Sequence, residues 1–215
     1  MKRQKGKEII KRIAFVAAVF SVCVLMHFYG KEMDKQEMQK DIADQVIRLH
    51  VVANSDSQDD QELKLEVKEE IVELLRAELK EDTSVVMAQQ TLRDHLGEIE
   101  ETAGRYIKER GYDYEVNAEL GTCYFPVKEY GDMIFPAGEY KALKVNIGKS
   151  QGKNWWCVMY PTLCLVDSTY QVVPDDSKEK LRENLTEEEY ESLLTGGEDV
   201  GYGLWIVDFL SDLWD

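Results

Sequence analysis

Val46-Ile47-Arg48-Leu49-His50-Val51-Val52, running into Asn54-Ser55-Asp56-Ser57, is the stretch on which the fold turns. The first seven residues are β-branched and roughly alternating, which predicts a strand. The next four cap helices or make turns, and Asp59, Asp60 and Glu62 behind them suit the positive end of a helix. Leu63, Val67, Ile71, Leu74 and Leu75 then recur at helical spacing, so a helix to about Lys80 lays an apolar stripe on the sheet. Thr83 and Ser84 can cap a second helix, with Leu92, Leu96, Ile99, Ala103, Tyr106 and Ile107 on one face and Gly111 as its stop.

Downstream, Tyr112 to Leu120 alternates strictly and reads as a half-buried strand. Partner strands are expected at Cys123–Phe125, Glu139–Ile147, Asn154–Tyr160 and Leu163–Val166, with a turn over residues 148–153. The alternation slips at Ala142-Leu143, which predicts a bulge. Past Pro174 the chain is acidic. Thr186-Glu187-Glu188-Glu189 forms a capping box before a short helix closed by Gly196-Gly197, and Leu204–Trp214 is apolar over most of a helical circumference. The expected class is α+β: an N-terminal membrane or signal helix, then one domain with two long helices packed on a mainly antiparallel sheet.

Charge divides the chain. Residues 1–30 carry six basic side chains and one acidic, a net of plus 5, which leaves 20 basic against 41 acidic, or minus 21, for the remainder. An acidic body argues against nucleic acid as a partner. Ile13 to Tyr29 is 17 residues without a charge, and a helix of that length reaches ~25 Å, the short end for a membrane span. The basic cluster before it places the N-terminus in the cytoplasm and the body outside. Both an uncleaved signal anchor and a cleaved signal peptide fit this pattern, although only Gly30 offers a small residue at the end of the run. The expected organisation is a membrane or signal segment over 1–30, a juxtamembrane stalk over 31–44, an α+β domain over 45–173 and an acidic helical segment over 174–215.

The chemistry-bearing residues are sparse. His50 and His95 are the histidines outside the apolar run, and no paired-cysteine or helical-histidine pattern exists, so no metal site is expected. Gly148 to Lys153 contains two glycines and two lysines but joins strands rather than opening a helix, and no cofactor is expected. No nucleophile elbow is present. Cys157 with His50 is a thiol pair that a fold could bring together for hydrolysis or group transfer in the envelope; a strand histidine and a structural cysteine are the plainer reading. Cys157 and Cys164 enclose six residues including Pro161, a loop that a disulfide could close, and Cys123 is then the unpaired thiol. Adjacent Trp155 and Trp156 on a strand point to opposite faces, which makes the outer ring a candidate contact.

Four blocks carry a resemblance: RLHVVANSDSQDDQELKLEVK (Arg48 to Lys68), FPVKEYG (Phe125 to Gly131), PAGEYKALKVNIG (Pro136 to Gly148) and NWWCVMYPTLC (Asn154 to Cys164). In these the chain resembles stage II sporulation protein R of endospore-forming bacteria. Pro161-Thr162 stands where that family commonly has two prolines, and Val52 where it usually has isoleucine. The resemblance implies a non-enzymatic signal, exported from the forespore into the space between the forespore and mother-cell membranes. There it would activate a membrane-embedded aspartic protease, stage II sporulation protein GA, which processes the sigma-E precursor. The contact is expected at Asn54, Ser55 and Asp56, at Asn154, Trp155, Trp156 and Pro161, or at both.

Overall fold

The computed structural model describes residues 2–81, 84–161, 163–164 and 173–195. It divides into two units, Met1–Gln39 and Lys40–Asp215. The first is helical: α1 (Lys2–Asp44) is one continuous helix whose last turn belongs to the second unit, where Ile42 and Ala43 are buried. Several side chains of the segment 13–29 lie outside the described residues. Among the described ones no helix is long and apolar enough to cross a membrane. In the same segment Phe15, Phe20, Leu25 and Met26 are each at least 68% exposed.

The second unit is α+β. Its four-stranded sheet has the order β2-β5-β1-β6, built from β1 (Ile47–Val52), β2 (Val116–Phe125), β5 (Gly138–Ile147) and β6 (Asn154–Tyr160). β2–β5 and β1–β6 are antiparallel, but the central pair β1–β5 is parallel, so the sheet is mixed. A parallel pair requires a long crossover. The three helices α2 (Gln58–Glu81), α3 (Val85–Asp94) and α4 (Leu96–Glu109) occupy it together with β2 and a short two-stranded hairpin. β1 is buried along its whole length because it has a strand on each side and layers above and below.

On the face of Leu49, Val51, Leu143 and Val145, helices α2 and α4 cover the sheet. The buried stripe of α2 is Leu63, Val67, Ile71, Val72, Leu75 and Leu79. On the other face a hairpin, β3 (Lys128–Tyr130) with β4 (Met133–Phe135), covers one part only. α5 (Asp175–Asn184) and α6 (Glu187–Thr195) complete that side, and α6 packs on β4. The capping box forms as expected. Thr186 N–H donates to Glu189 Oε2 at 2.7 Å, and Glu189 N–H returns the bond to Thr186 Oγ1 at 3.3 Å.

Several local expectations are corrected. The second helix is two helices, broken at His95, whose ring nitrogen Nδ1 donates to the Thr91 carbonyl at 2.7 Å while Nε2 meets Glu78 of α2 at 2.9 Å. A side chain bonded to its own preceding turn competes with the helix ladder. Ser84 caps α3 through Met87 N–H, whereas Thr83 lies outside the described residues. Tyr112 and Tyr114 precede β2 rather than belong to it, because β5 ends at Ile147 opposite Val116 and the chain turns away at Gly148, whose N–H still reaches the Glu115 carbonyl at 2.8 Å. Cys123–Phe125 continues β2 instead of forming a separate strand, with unbroken register to Gly138. No bulge occurs at Ala142-Leu143: both residues are buried because β5 is covered on both faces. The irregularity falls between Ile47 and Arg48, against β6. Leu163 and Cys164 are not in a strand, and the rest of that segment, Gly196-Gly197 and Leu204–Trp214 lie outside the described residues.

Candidate functional site

At one end of β1 and β6 the Asn54–Ser57 turn meets residues 148–153. Asn54 Oδ1 accepts from Lys149 N–H at 3.0 Å, Asp56 Oδ1 from Lys153 N–H at 2.7 Å, and the Ala53 carbonyl from Gly152 N–H at 3.0 Å. The two glycines are required here. Gly148 has φ +55°, and a Cβ on it would lie 2.5 Å from Asn54 Oδ1; one on Gly152 would collide with the Ser55 carbonyl.

Asp60 is the hub beneath this turn. Its carboxylate, 5% exposed, accepts from Asn54 Nδ2 at 2.9 Å and from Ser55 Oγ, while Asp60 N–H donates to Ser57 Oγ at 3.2 Å. Burial pushes its pKa up, but hydrogen bonds from Ser55, Asn54, Tyr114 and Ser57 outweigh it and hold the carboxyl below the usual range. Lys64, also buried, donates to Gln61 Oε1 at 2.6 Å and to the Lys153 carbonyl at 3.1 Å. Thus Asn54, Ser55 and Asp56 spend their side chains on the turn itself, and only Asp56 is exposed among them.

The tryptophans separate as strand geometry requires. Trp155 shares a face with Val51 under α2, with Lys68 Nζ 5.1 Å from its ring centroid. Trp156 sits on the outer face opposite His50, half-buried, and its ring stacks on the imidazole at 3.9 Å and 17°. Phe125 meets Trp156 edge-on at 4.6 Å. Next along that face Arg48 is fully buried. Its guanidinium lies 4.4 Å from the Phe125 centroid and 4.8 Å from that of Tyr140, and it donates to Tyr130 Oη at 3.0 Å and to the Cys157 carbonyl at 3.2 Å.

Cys157 and Cys164 are joined by a disulfide with Cα atoms 5.2 Å apart, and both are buried. Cys157 therefore cannot act as a resting thiol, and it shares the helix-covered face with Leu49 and Trp155 rather than the face of His50. Pro161, buried between the cysteines, follows the far end of β6, about 20 Å along the strand from Asn154. The structure thus brings Asn154 to the Asn54–Ser57 turn and sets Pro161 and the disulfide apart from them.

His50 meets a different cysteine. Its Nδ1 lies 3.9 Å from Cys123 Sγ on β2, and its Nε2–H donates to Asn154 Oδ1 at 2.9 Å. Burial lowers the His50 pKa; the Asn154 bond pulls it up and Lys144 pushes it further down. Burial raises the Cys123 thiol against the opposing pull of Lys144 and Arg48. Sequence reasoning left Cys123 as a spare thiol. Its strand parity with Glu119 and Gly121 was the available signal, but the order of β1, β5 and β2 was needed to use it. Among the described residues no group of three or more His, Cys, Asp or Glu side chains is placed to hold a metal ion.

The elements that build this geometry, from the Arg48–Asp60 strand and turn to the Asn154–Cys164 strand and disulfide, lie within residues 43–170, the span matched by the family described as stage II sporulation protein R. The chain belongs to that family. Stage II sporulation protein R of Bacillus subtilis (strain 168) is 34% identical to it over 158 residues, covering 73% of this chain and 70% of the relative. No solved structure matches it.

Proposed function

We propose that this chain is an exported sporulation signal that acts by binding and not by chemistry on its target. It is made in the forespore, carried across or held in the membrane by residues 13–29, and presented in the intermembrane space. There it binds the membrane-embedded aspartic protease stage II sporulation protein GA and so triggers processing of the sigma-E precursor. Membership in the stage II sporulation protein R family carries this reading. The plus 5 flank before the apolar run, the acidic body and the exposed apolar side chains of α1 support the topology.

Activation without chemistry requires tighter binding to the active state of the protease than to the inactive one. The surface best suited is the end of the sheet where Asn154 and Asp56 are exposed and Trp156, two residues further along β6, is half-buried. The test is a Trp156→Ala, Asp56→Arg double variant expressed in sporulating cells at the wild-type level. The expected outcome is a folded, exported protein with unprocessed sigma-E precursor on an immunoblot. Normal processing would remove this surface as the interface.

A further inference from the structure

Cys123, His50 and Asn154 come from three strands, β2, β1 and β6, and β5 lies between the first two. Thiol and imidazole approach across β5 because the two positions between them on this face, Gly121 and Ala142, carry at most a methyl group. Space remains beside Gly121, where an added Cβ would touch nothing within 4 Å. Cys123 is partly exposed, so a small electrophile can reach Sγ.

The order of contacts is that of a nucleophile, a base and an orienting group. Donation from His50 Nε2–H to Asn154 Oδ1 at 2.9 Å fixes the tautomer that leaves the Nδ1 lone pair facing Cys123 Sγ at 3.9 Å. Trp156, stacked on the imidazole, holds the plane of the ring. Lys144, the β5 partner of His50, adds positive charge on the same face and is 3.7 Å from Glu119. Cysteine, histidine and asparagine in these roles recur on unrelated folds and are recognised by geometry rather than by sequence order.

We propose that Cys123, His50 and Asn154 form an acyl-transfer site for an ester or amide carbonyl, with Cys123 as nucleophile, His50 as base and Asn154 as a positioning residue. His50 Nδ1 takes the thiol proton as Sγ bonds the carbonyl carbon. The tetrahedral adduct collapses with cleavage of the carbon–oxygen or carbon–nitrogen bond, and the leaving group takes the proton from His50. Water then attacks the thioester, gives a proton to His50, and releases the carboxylic acid while the thiol is restored. Burial lowers the His50 pKa from its ordinary value, which favours a neutral ring with a free Nδ1 lone pair, while burial raises the Cys123 thiol. Asn154 and Trp156 belong to both this site and the proposed signalling surface, but Cys123 belongs to this site alone, so loss of Cys123 removes acylation whatever happens to precursor processing.

The experiment uses the full chain with Cys23→Ser, the other free cysteine, as background. The probe is p-nitrophenyl acetate at neutral pH, read by nitrophenolate release and by peptide mass. The expected result is acetylation of Cys123 at least about tenfold faster than N-acetylcysteine, slowed on the order of a hundredfold in His50→Gln. Asn154→Ala should shift the pH midpoint of acetylation down and Asn154→Asp should shift it up, which a purely structural asparagine would not do. A wild-type rate no greater than that of N-acetylcysteine overturns the proposal, whichever variants fold. So does an unchanged rate in folded His50→Gln, or a midpoint that ignores both substitutions at Asn154.

Discussion

The two faces of the central sheet are finished differently. Leu49, Val51, Leu143 and Val145 face helices and are fully buried, whereas one row away Arg48, His50, Lys144 and Trp156 face a hairpin that covers only part of the sheet. The same strands therefore spend alternate residues on stability and on chemistry. The difference teaches that a strand buried at every position, as β1 is, can still carry polar residues, because Arg48 and His50 are buried against aromatic rings.

The sharpest way to break this contrast is to cut each face in turn. Leu49→Ala on the closed face should cost about 2–5 kcal/mol, by chemical denaturation. Trp156→Ala on the half-open face should cost clearly less, despite removing a larger side chain. Equal losses would mean the outer face is as closed as the inner one. A second test addresses the rim. Asp60→Asn should cost about 1–3 kcal/mol, since the turn loses its charged acceptor. The folded carboxyl is held below its ordinary range, so its contribution is present above that range and disappears as pH falls through the depressed value; the variant should flatten the acid limb of a stability–pH curve.

His95 tests the helix layer in the opposite sense. The bond to the Thr91 carbonyl, then Glu78 and Glu98, raise its pKa against burial. Its contribution is fully present below the ordinary histidine range and is lost as pH rises through the raised value. His95→Gln should remove that slope at a cost below about 1 kcal/mol, measured by thermal melts across neutral pH. Smallest of all, Glu119→Gln breaks an exposed pair with Lys144 and should change stability by less than about 0.5 kcal/mol.

Much of the closed face was legible in sequence, and little of the open one. The α2 stripe, the Ser57 turn and the Thr186 capping box are local patterns, readable within a few residues. Whether Cys123 or Cys157 meets His50 depends on strand order and on parity along β6, which no local pattern encodes. The break at His95 was hidden for the same reason: its cause is Glu78 on another helix together with a ring that bonds backward. Asn54 and Asp56 looked like a presented loop because the turn they fasten lies near residue 150, far along the chain.

The first strand of the body sits at the centre of its sheet, with Arg48 paired to Ala142 on one side and to Val158 on the other. A chain emerging from its amino end, whether from a ribosome or a translocation pore, therefore has β1 without either neighbour until most of the domain has followed. Helices α2 to α4 can form meanwhile, but the ladder that gives them a floor cannot close. Such a wiring defers closure of the sheet around β1 until β5 and then β6 have followed it along the chain.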